Sequence, residues 1–326
     1  MKICHIGHGM MPIPPRGWGA VESVISDYKD FIELAGHECF VINDREPDVI
    51  VAKINRLNPD VVHSHYEEHF PLLSQFPAPV KLLCTHASSI MREENLGKIK
   101  AFMTGHTVLV NECYICCLSE EMRRYFVHLG VPRARILLVP NGARGDLIRY
   151  ADSPELPDRS LCLAQVTRRK RQHLLSGIEF VDFVGPKNDP TFECSPQTYL
   201  GEWTRAEVFS NLTQYANLVL LSSSELAPLV TCQALMAGLG LVLSESASAN
   251  LDRSLPFIDI IPEERVKDAS YVRLVLRHNQ EYARKLRREI RSYGLDHFDW
   301  GVLVPQYLET IQALIPTAAS PREGSL

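Results

Sequence analysis

The chain has 326 residues, with 45% hydrophobic and 22% charged, an ordinary globular mix that excludes disorder as its main state. About 150 residues per domain gives roughly two domains, large enough to need no disulfide or metal staple. With 34 Lys and Arg against 39 Asp and Glu, the net charge is -5, which argues against a nucleic-acid partner.

Strand and helix alternate from the first residues. MKICHI reads as a buried strand. No charged leader with a long apolar run precedes it, so no signal peptide is expected. Val21, Val24, Ile25, Tyr28, Ile32 and Ala35 recur at helical spacing, and Gly36 closes that helix. Then come ECFVIN as a strand, DVIVAKINRL as a helix, and DVVHSH, VKLLCTH and YICCLS as strands. EEMRRYFVHLG is a helix and RILLVPN a strand. Alternating units of this kind imply a parallel sheet covered on both faces.

Residues 151–159, ADSPELPDR, read as an interdomain linker. A second series follows: LCLAQV, FVDFVG, NLVLLS, GLVLSE and FIDIIP as strands. TRAEVFSNLTQY, PLVTCQALMAGLG and SYVRLVLRHNQEYARKLRREIRSYG contain helices. A last helix covers roughly 302–315, and the tail PTAASPREGSL reads as frayed. The expectation is two doubly wound α/β domains, 1–150 and 160–300, the first completed by a helix near 301–316. Open α/β sheets bind ligands at the carboxyl ends of their strands.

No apolar stretch reaches the ~18 residues of a membrane span, so a cytoplasmic protein is expected. The nine cysteines are an odd number and mostly lie in apolar runs, which reads as reduced core thiols. Cys113, Cys116 and Cys117 have no second C-x-x-C partner, so core packing outweighs a zinc site. The basic helix YARKLRREIRS reads first as a solvated face; contact with an anionic membrane is the sharper alternative.

Two loops carry the chemistry. Gly7-His8-Gly9-Met10-Met11-Pro12 places a proline where a dinucleotide fingerprint needs glycine, so a nicotinamide site is not expected. The following Pro14-Pro15-Arg16-Gly17-Trp18-Gly19-Ala20-Val21-Glu22 opens a helix whose free N–H groups suit a diphosphate. In the second half, the strand NLVLLS runs into Ser224-Glu225 and a helix starting near Pro228. The amides of Leu229 and Val230 face an anion there; Glu225 and Gln233 are placed to bond sugar hydroxyls.

These segments resemble the retaining nucleotide-sugar glycosyltransferases of family GT4, which have the GT-B fold. Pro14 to Glu22 resembles that family's PPxxYGGxE loop, and Asp60 to His65 its DVVHxH strand end. Thr85-His86 resembles its TxH, and Cys117 to Glu120 and Val139 to Gly142 its vSe and iPNG segments. Glu225 to Gln233 falls on its E-x7-E motif, Ala234 to Gly238 on EAMACG, and Phe298-Asp299-Trp300 on the fsW before a helix that crosses back to the first domain. The order is collinear over most of the chain.

The resemblance implies a metal-independent hexosyltransferase without a cofactor, taking a nucleotide-diphosphate sugar as donor. Glu225, His86 and Lys170 are its catalytic candidates. Gly19, Arg168, Leu229, Val230 and Gln233 would bind the donor. Trp18, Glu22, His65 and Asn141 would line the side of a sugar, glycan or glycolipid acceptor. His63 and His65 are spaced as a metal pair, but no metal is expected. Three positions depart from the family. Gly-Gly is Gly19-Ala20, the second motif glutamate is Gln233, and the phosphate-binding arginine is Gln165, with Arg168 and Arg169 nearby as substitutes. The chain is also shorter than typical members. Two other readings stay open: a catalytically weak GT-B protein that binds glycans or partners an active enzyme, and a sugar-nucleotide epimerase.

Overall fold

The computed structural model describes residues 1–91, 95, 97 and 112–316. The first sheet comprises β1 (Lys2–Gly7), β2 (Glu38–Asn43), β3 (Val61–Ser64), β4 (Val80–Cys84), β5 (Tyr114–Cys117) and β6 (Ile136–Leu138). Its order is β2-β1-β3-β4-β5-β6 and each pairing is parallel. Helices α1 (Ala20–Leu34), α2 (Pro47–Leu57) and α3 (Glu120–His128) lie between β1 and β2, β2 and β3, and β5 and β6. Gly36, at φ 82°, adopts the left-handed conformation expected beyond the end of α1.

The second sheet comprises β7 (Leu156–Leu163), β8 (Val181–Val184), β9 (Tyr215–Leu220), β10 (Gly240–Ser244) and β11 (Ile258–Ile261). Its order is β11-β10-β9-β7-β8, again parallel throughout. Counted from each sheet's own first strand, both sheets begin 2-1-3-4-5. The direction of winding reverses between β1 and β3 in one and between β7 and β9 in the other. Neighbouring helices diverge at such a reversal and leave a crevice beyond the strand ends. Helices α4 (Arg205–Asn211), α5 (Leu229–Met236), α6 (Ala269–Lys285), α7 (Arg287–Phe298) and α8 (Trp300–Leu314) complete the described chain.

The linker expectation is corrected in part, because β7 already begins at Leu156. Leu156 lies opposite Tyr215, and the register slips before Ser160. On the other side β8 joins only at Ser160, so Pro157 withholds no N–H from a ladder. Arg159, read as linker charge, pairs with the buried Asp182 through Nε at 2.7 Å. A run of tight turns at Glu67–Gln75, containing Pro71, was not anticipated.

The last helix returns to the first sheet. Trp300, Val304, Tyr307, Leu308 and Ile311 of α8 lie in one apolar core with Ile3, Tyr28 and Val62. The turn before it is fixed by backbone bonds from Ala143 N to Phe298 O at 2.8 Å and from Trp300 N to Ala143 O at 3.2 Å. Asp27 of α1 sits at this junction, 5% exposed. It accepts from Trp300 Nε1 at 3.2 Å, from Arg144 Nη1 at 3.4 Å, and from Arg205 of α4. One carboxylate thus joins α1, the crossover segment, the second domain and α8. Burial pushes its carboxyl pKa up, against the opposing pull of the two guanidiniums.

Asp27→Ala removes the carboxylate that largely buried Arg205 and the Trp300 indole bond, and one of the three that Arg144 bonds. We expect a loss of about 3 kcal/mol in urea unfolding, and a change below about 0.5 kcal/mol, the size of an ordinary surface substitution, would refute this role.

Candidate active site

At the second reversal point, the segment after β7 meets the segment after β9. Thr167 caps a tight turn, its side chain accepting from Lys170 N at 3.3 Å. The turn presents Arg169 and Lys170. Ser223 N donates to Arg169 O at 2.9 Å, which ties the two segments together. Lys170 Nζ lies 2.5 Å from Glu225 Oε1, and Arg169 Nη1 lies 3.0 Å from the same oxygen. Glu225 and Lys170 are only 10% and 14% exposed. Two cations against one carboxylate leave a charge of about +1 in a poorly hydrated crevice, where its field is strong. Pro228 caps α5, so the amides of Leu229 and Val230 begin the helix with no intrahelical acceptor.

Arg168 does not join them. Its guanidinium turns to Asp189 at 3.1 Å and to Thr191 at 2.6 Å. The neighbouring Arg169 provides the second cation instead, a residue the sequence reading had only as a substitute. Gln233 lies on α5, partly exposed, little more than one turn into the helix.

At the first reversal point, Gly19 is the residue before α1, at φ 143°. A Cβ there would stand 2.8 Å from Pro15 Cβ and 3.1 Å from Glu22 Oε2. Only glycine fits this bend. Glu22 is buried and accepts from Tyr66 Oη at 3.0 Å, so its carboxylate holds the loop against the segment after β3. Trp18 projects beside it, 51% exposed. Asn141 was expected on the acceptor side. Its amide donates to Ala227 O at 2.8 Å and pins the loop between Glu225 and α5.

His65 and His86 are brought together, with two histidines not assigned to the site in advance. Parallel register sets His5 of β1 opposite His63 of β3. His65 follows two residues later, so it shares their face. His5 Nδ1 is 2.8 Å from His65 Nε2, and His65 Nδ1 is 3.2 Å from His86 Nε2. His63 Nδ1 is 3.1 Å from Tyr307 Oη, and its ring stacks on His65 at 4.2 Å. His5, His63 and His65 are buried, while His86 is partly exposed. Burial holds His5 down at about 3 and His86 at about 4, and His63 and His65 well below the usual histidine range. Ring nitrogens of His5, His63 and His65 lie within 4.8 Å of one another, the donor set that can hold a transition metal. Both nitrogens of His65 already bond other imidazoles.

The two halves of the site touch. Leu226, next to Glu225, is buried in the first domain's core, and Asn250 donates to Leu118 O at 2.7 Å. Beside the end of β1, a cavity of about 300 Å3 is lined by His8, Met10, Arg45, Glu68, His69 and Leu72.

The basic run on α6 and α7 is not a uniformly free face. Arg287 is buried and donates to the carbonyls of Ala151, Thr213, Tyr215 and Ala237. Arg291 reaches Gly145 O, and Arg288 pairs with Asp152. These bonds close carbonyl ends that the chain would otherwise bury unpaired. Among the described residues no helix is long and apolar enough to cross a membrane. The nine cysteines are unpaired thiols and all but Cys194 are buried.

No family model and no curated protein matches the sequence. Solved structures do. Sucrose-phosphate synthase from Thermosynechococcus elongatus superposes at TM-score 0.75 with 14% identity, covering 96% of this chain and 99% of that one. A glycosyltransferase of avilamycin A biosynthesis gives 0.72 at 16%, covering 97% and 98%. HepE of Anabaena, in complex with UDP-glucose, gives 0.69 at 14%, covering 96% and 100%. These likenesses define the architecture: the chain has the GT-B fold, two Rossmann-like domains.

The buried histidines set a pH dependence. Their folded pKa values lie below the unfolded value of about 6.5, so the unfolded chain takes up protons that the folded chain refuses. Their contribution to stability is complete above about pH 6.5 and falls as pH drops toward 4, by up to about 1.4 kcal/mol per pH unit for each histidine. Urea unfolding at pH 7.5, 6 and 5 checks this; stability that rises on acidification contradicts it.

Proposed function

We propose that the chain is a glycosyltransferase. It takes a nucleotide-diphosphate sugar on the second domain and passes the sugar to a sugar, glycan or glycolipid acceptor on the first. The observation that carries this is the cation pair Arg169 and Lys170, incompletely neutralised by Glu225, at the reversal point beside the start of α5. Cleaving a sugar–phosphate bond builds negative charge on the departing diphosphate. Fixed cations and helix-end amides stabilise that charge more than the ground state. HepE was crystallised with UDP-glucose and with UDP, which supports UDP-sugars as the first donors to try.

In this reading the diphosphate attracts Lys170 and Arg169. Glu225, relieved of one or both, turns its oxygens to the sugar hydroxyls. Leu229 and Val230 amides face the diphosphate. Gln233 meets the ribose, with a weaker bond than a glutamate would give. Trp18 and the cavity beside His8 supply the acceptor side, and His86 faces the donor sugar. A phosphate oxygen of the leaving group takes the acceptor's proton, so configuration is retained and no metal is needed. The departures at Gln165 and Gln233 keep one other reading in play, a GT-B protein that binds the donor but transfers slowly.

Product analysis with UDP-, GDP-, ADP- and dTDP-sugars, with and without acceptor sugars, tests the proposal. Lys170→Ala should weaken nucleotide-diphosphate binding about 10- to 100-fold, the worth of charge-assisted hydrogen bonds. Glu225→Ala should fold and bind the free nucleotide diphosphate, yet lose transfer by at least about 100-fold. Full transfer by Glu225→Ala would overturn the site. Binding without transfer in the unmodified chain would favour the slower reading, and an altered sugar formed without acceptor would indicate epimerisation.

A further inference from the structure

The histidines of the first domain form a hydrogen-bonded series with a direction. His5 Nδ1 meets His65 Nε2 at 2.8 Å, and His65 Nδ1 meets His86 Nε2 at 3.2 Å. A neutral imidazole donates at one ring nitrogen and accepts at the other. Only two proton arrangements satisfy both contacts. In the first, protons sit on Nδ1 of His5, His65 and His86. In the second, they sit on Nε2 of all three.

The inner end decides between them. His5 Nε2 is buried and has no partner among the described residues. In the second arrangement it carries an N–H with nothing to donate to. In the first it is a bare acceptor. Orphaned buried N–H groups are a rarer defect than under-used acceptors. The rings are held flat against each other by Tyr28, stacked on His5 at 5.1 Å, and by His63, stacked on His65 at 4.2 Å. Flipping one ring by about 180° would keep the stack but put a C–H where a nitrogen now stands, breaking the series.

We infer that His65, backed by His5, is a positioning residue that fixes His86 as its Nδ1–H tautomer, so that His86 meets the bound sugar as a hydrogen-bond donor. This rests on the reading of the crevice as a nucleotide-sugar site. Nδ1 is the ring nitrogen of His86 that the series leaves for a ligand. A donor there recognises a sugar oxygen and does not remove a proton. His86 thereby binds the sugar, and deprotonation of the acceptor falls to another group.

The test reads tautomers directly and needs no substrate. Long-range 1H–15N spectra of the full chain labelled with 15N-histidine report which ring nitrogen is protonated, and a His86→Gln variant assigns the His86 signals. The expected result is a protonated Nδ1 and a bare Nε2 on His86. A protonated Nε2, or an imidazolium, at pH 7.5 overturns the inference. His65→Phe keeps an aromatic ring in the stack but removes both bonds. There His86 should shift toward the Nε2–H form that free imidazole prefers in water; an unchanged Nδ1–H signal overturns the role of His65. Should that variant not fold, the unmodified chain's spectrum still decides the tautomer. Failure here leaves donor binding unaffected, while absent donor binding with the expected tautomer would instead fault the glycosyltransferase reading.

Discussion

Two cations share one carboxylate at the end of β7 and β9, and that imbalance is what the site is built around. Lys170 and Arg169 converge on a single oxygen of Glu225. Holding like charges together in a crevice of low exposure is unfavourable unless an anion completes the set. Glu225 serves partly in that capacity. A diphosphate, with more charge and more oxygens, would serve better. In the proposed reading, this arrangement keeps both cations positioned for the donor's phosphates.

The fold supplies the position. Both sheets wind in the same order, so each leaves a crevice at its reversal point. The first holds the Gly19 bend and the histidine series, and the second holds the ion cluster. Leu226 in the first core and Asn141 on Ala227 bring the loop of Glu225 against the first domain. Asp27 joins four parts of the chain at the junction behind them. The contacts that fix the relative placement of the domains thus lie close in sequence to the residues proposed to bind the donor.

Much of this was legible in the sequence because hydrophobic periodicity marks buried strands and amphipathic helices. ECFVIN matches β2 from end to end. What the sequence left open depends on long-range geometry. The run TRRKRQ has several adjacent basic residues, and only the turn set by Thr167 decides that Arg169 faces Glu225 while Arg168 faces Asp189. Residues 156–159 looked like linker because Pro157 discourages a strand, yet the missing neighbour on one side permits it. His5 was hidden inside a strand whose register with His63 no local pattern reveals. Arg287 lay in what read as a solvated face, although it is buried among carbonyls. Composition gives its charge but not the unpaired groups that draw it inward.

The most direct measurement is calorimetric titration of the chain with nucleoside mono- and diphosphates of the same base, taken through uracil, guanine, adenine and thymine, in the presence of EDTA and repeated with Arg169→Ala. The account predicts that for one base the diphosphate binds at least about tenfold more tightly than the monophosphate, and that this preference collapses in Arg169→Ala. Equal affinity for mono- and diphosphate, or a preference untouched by the substitution, would contradict it.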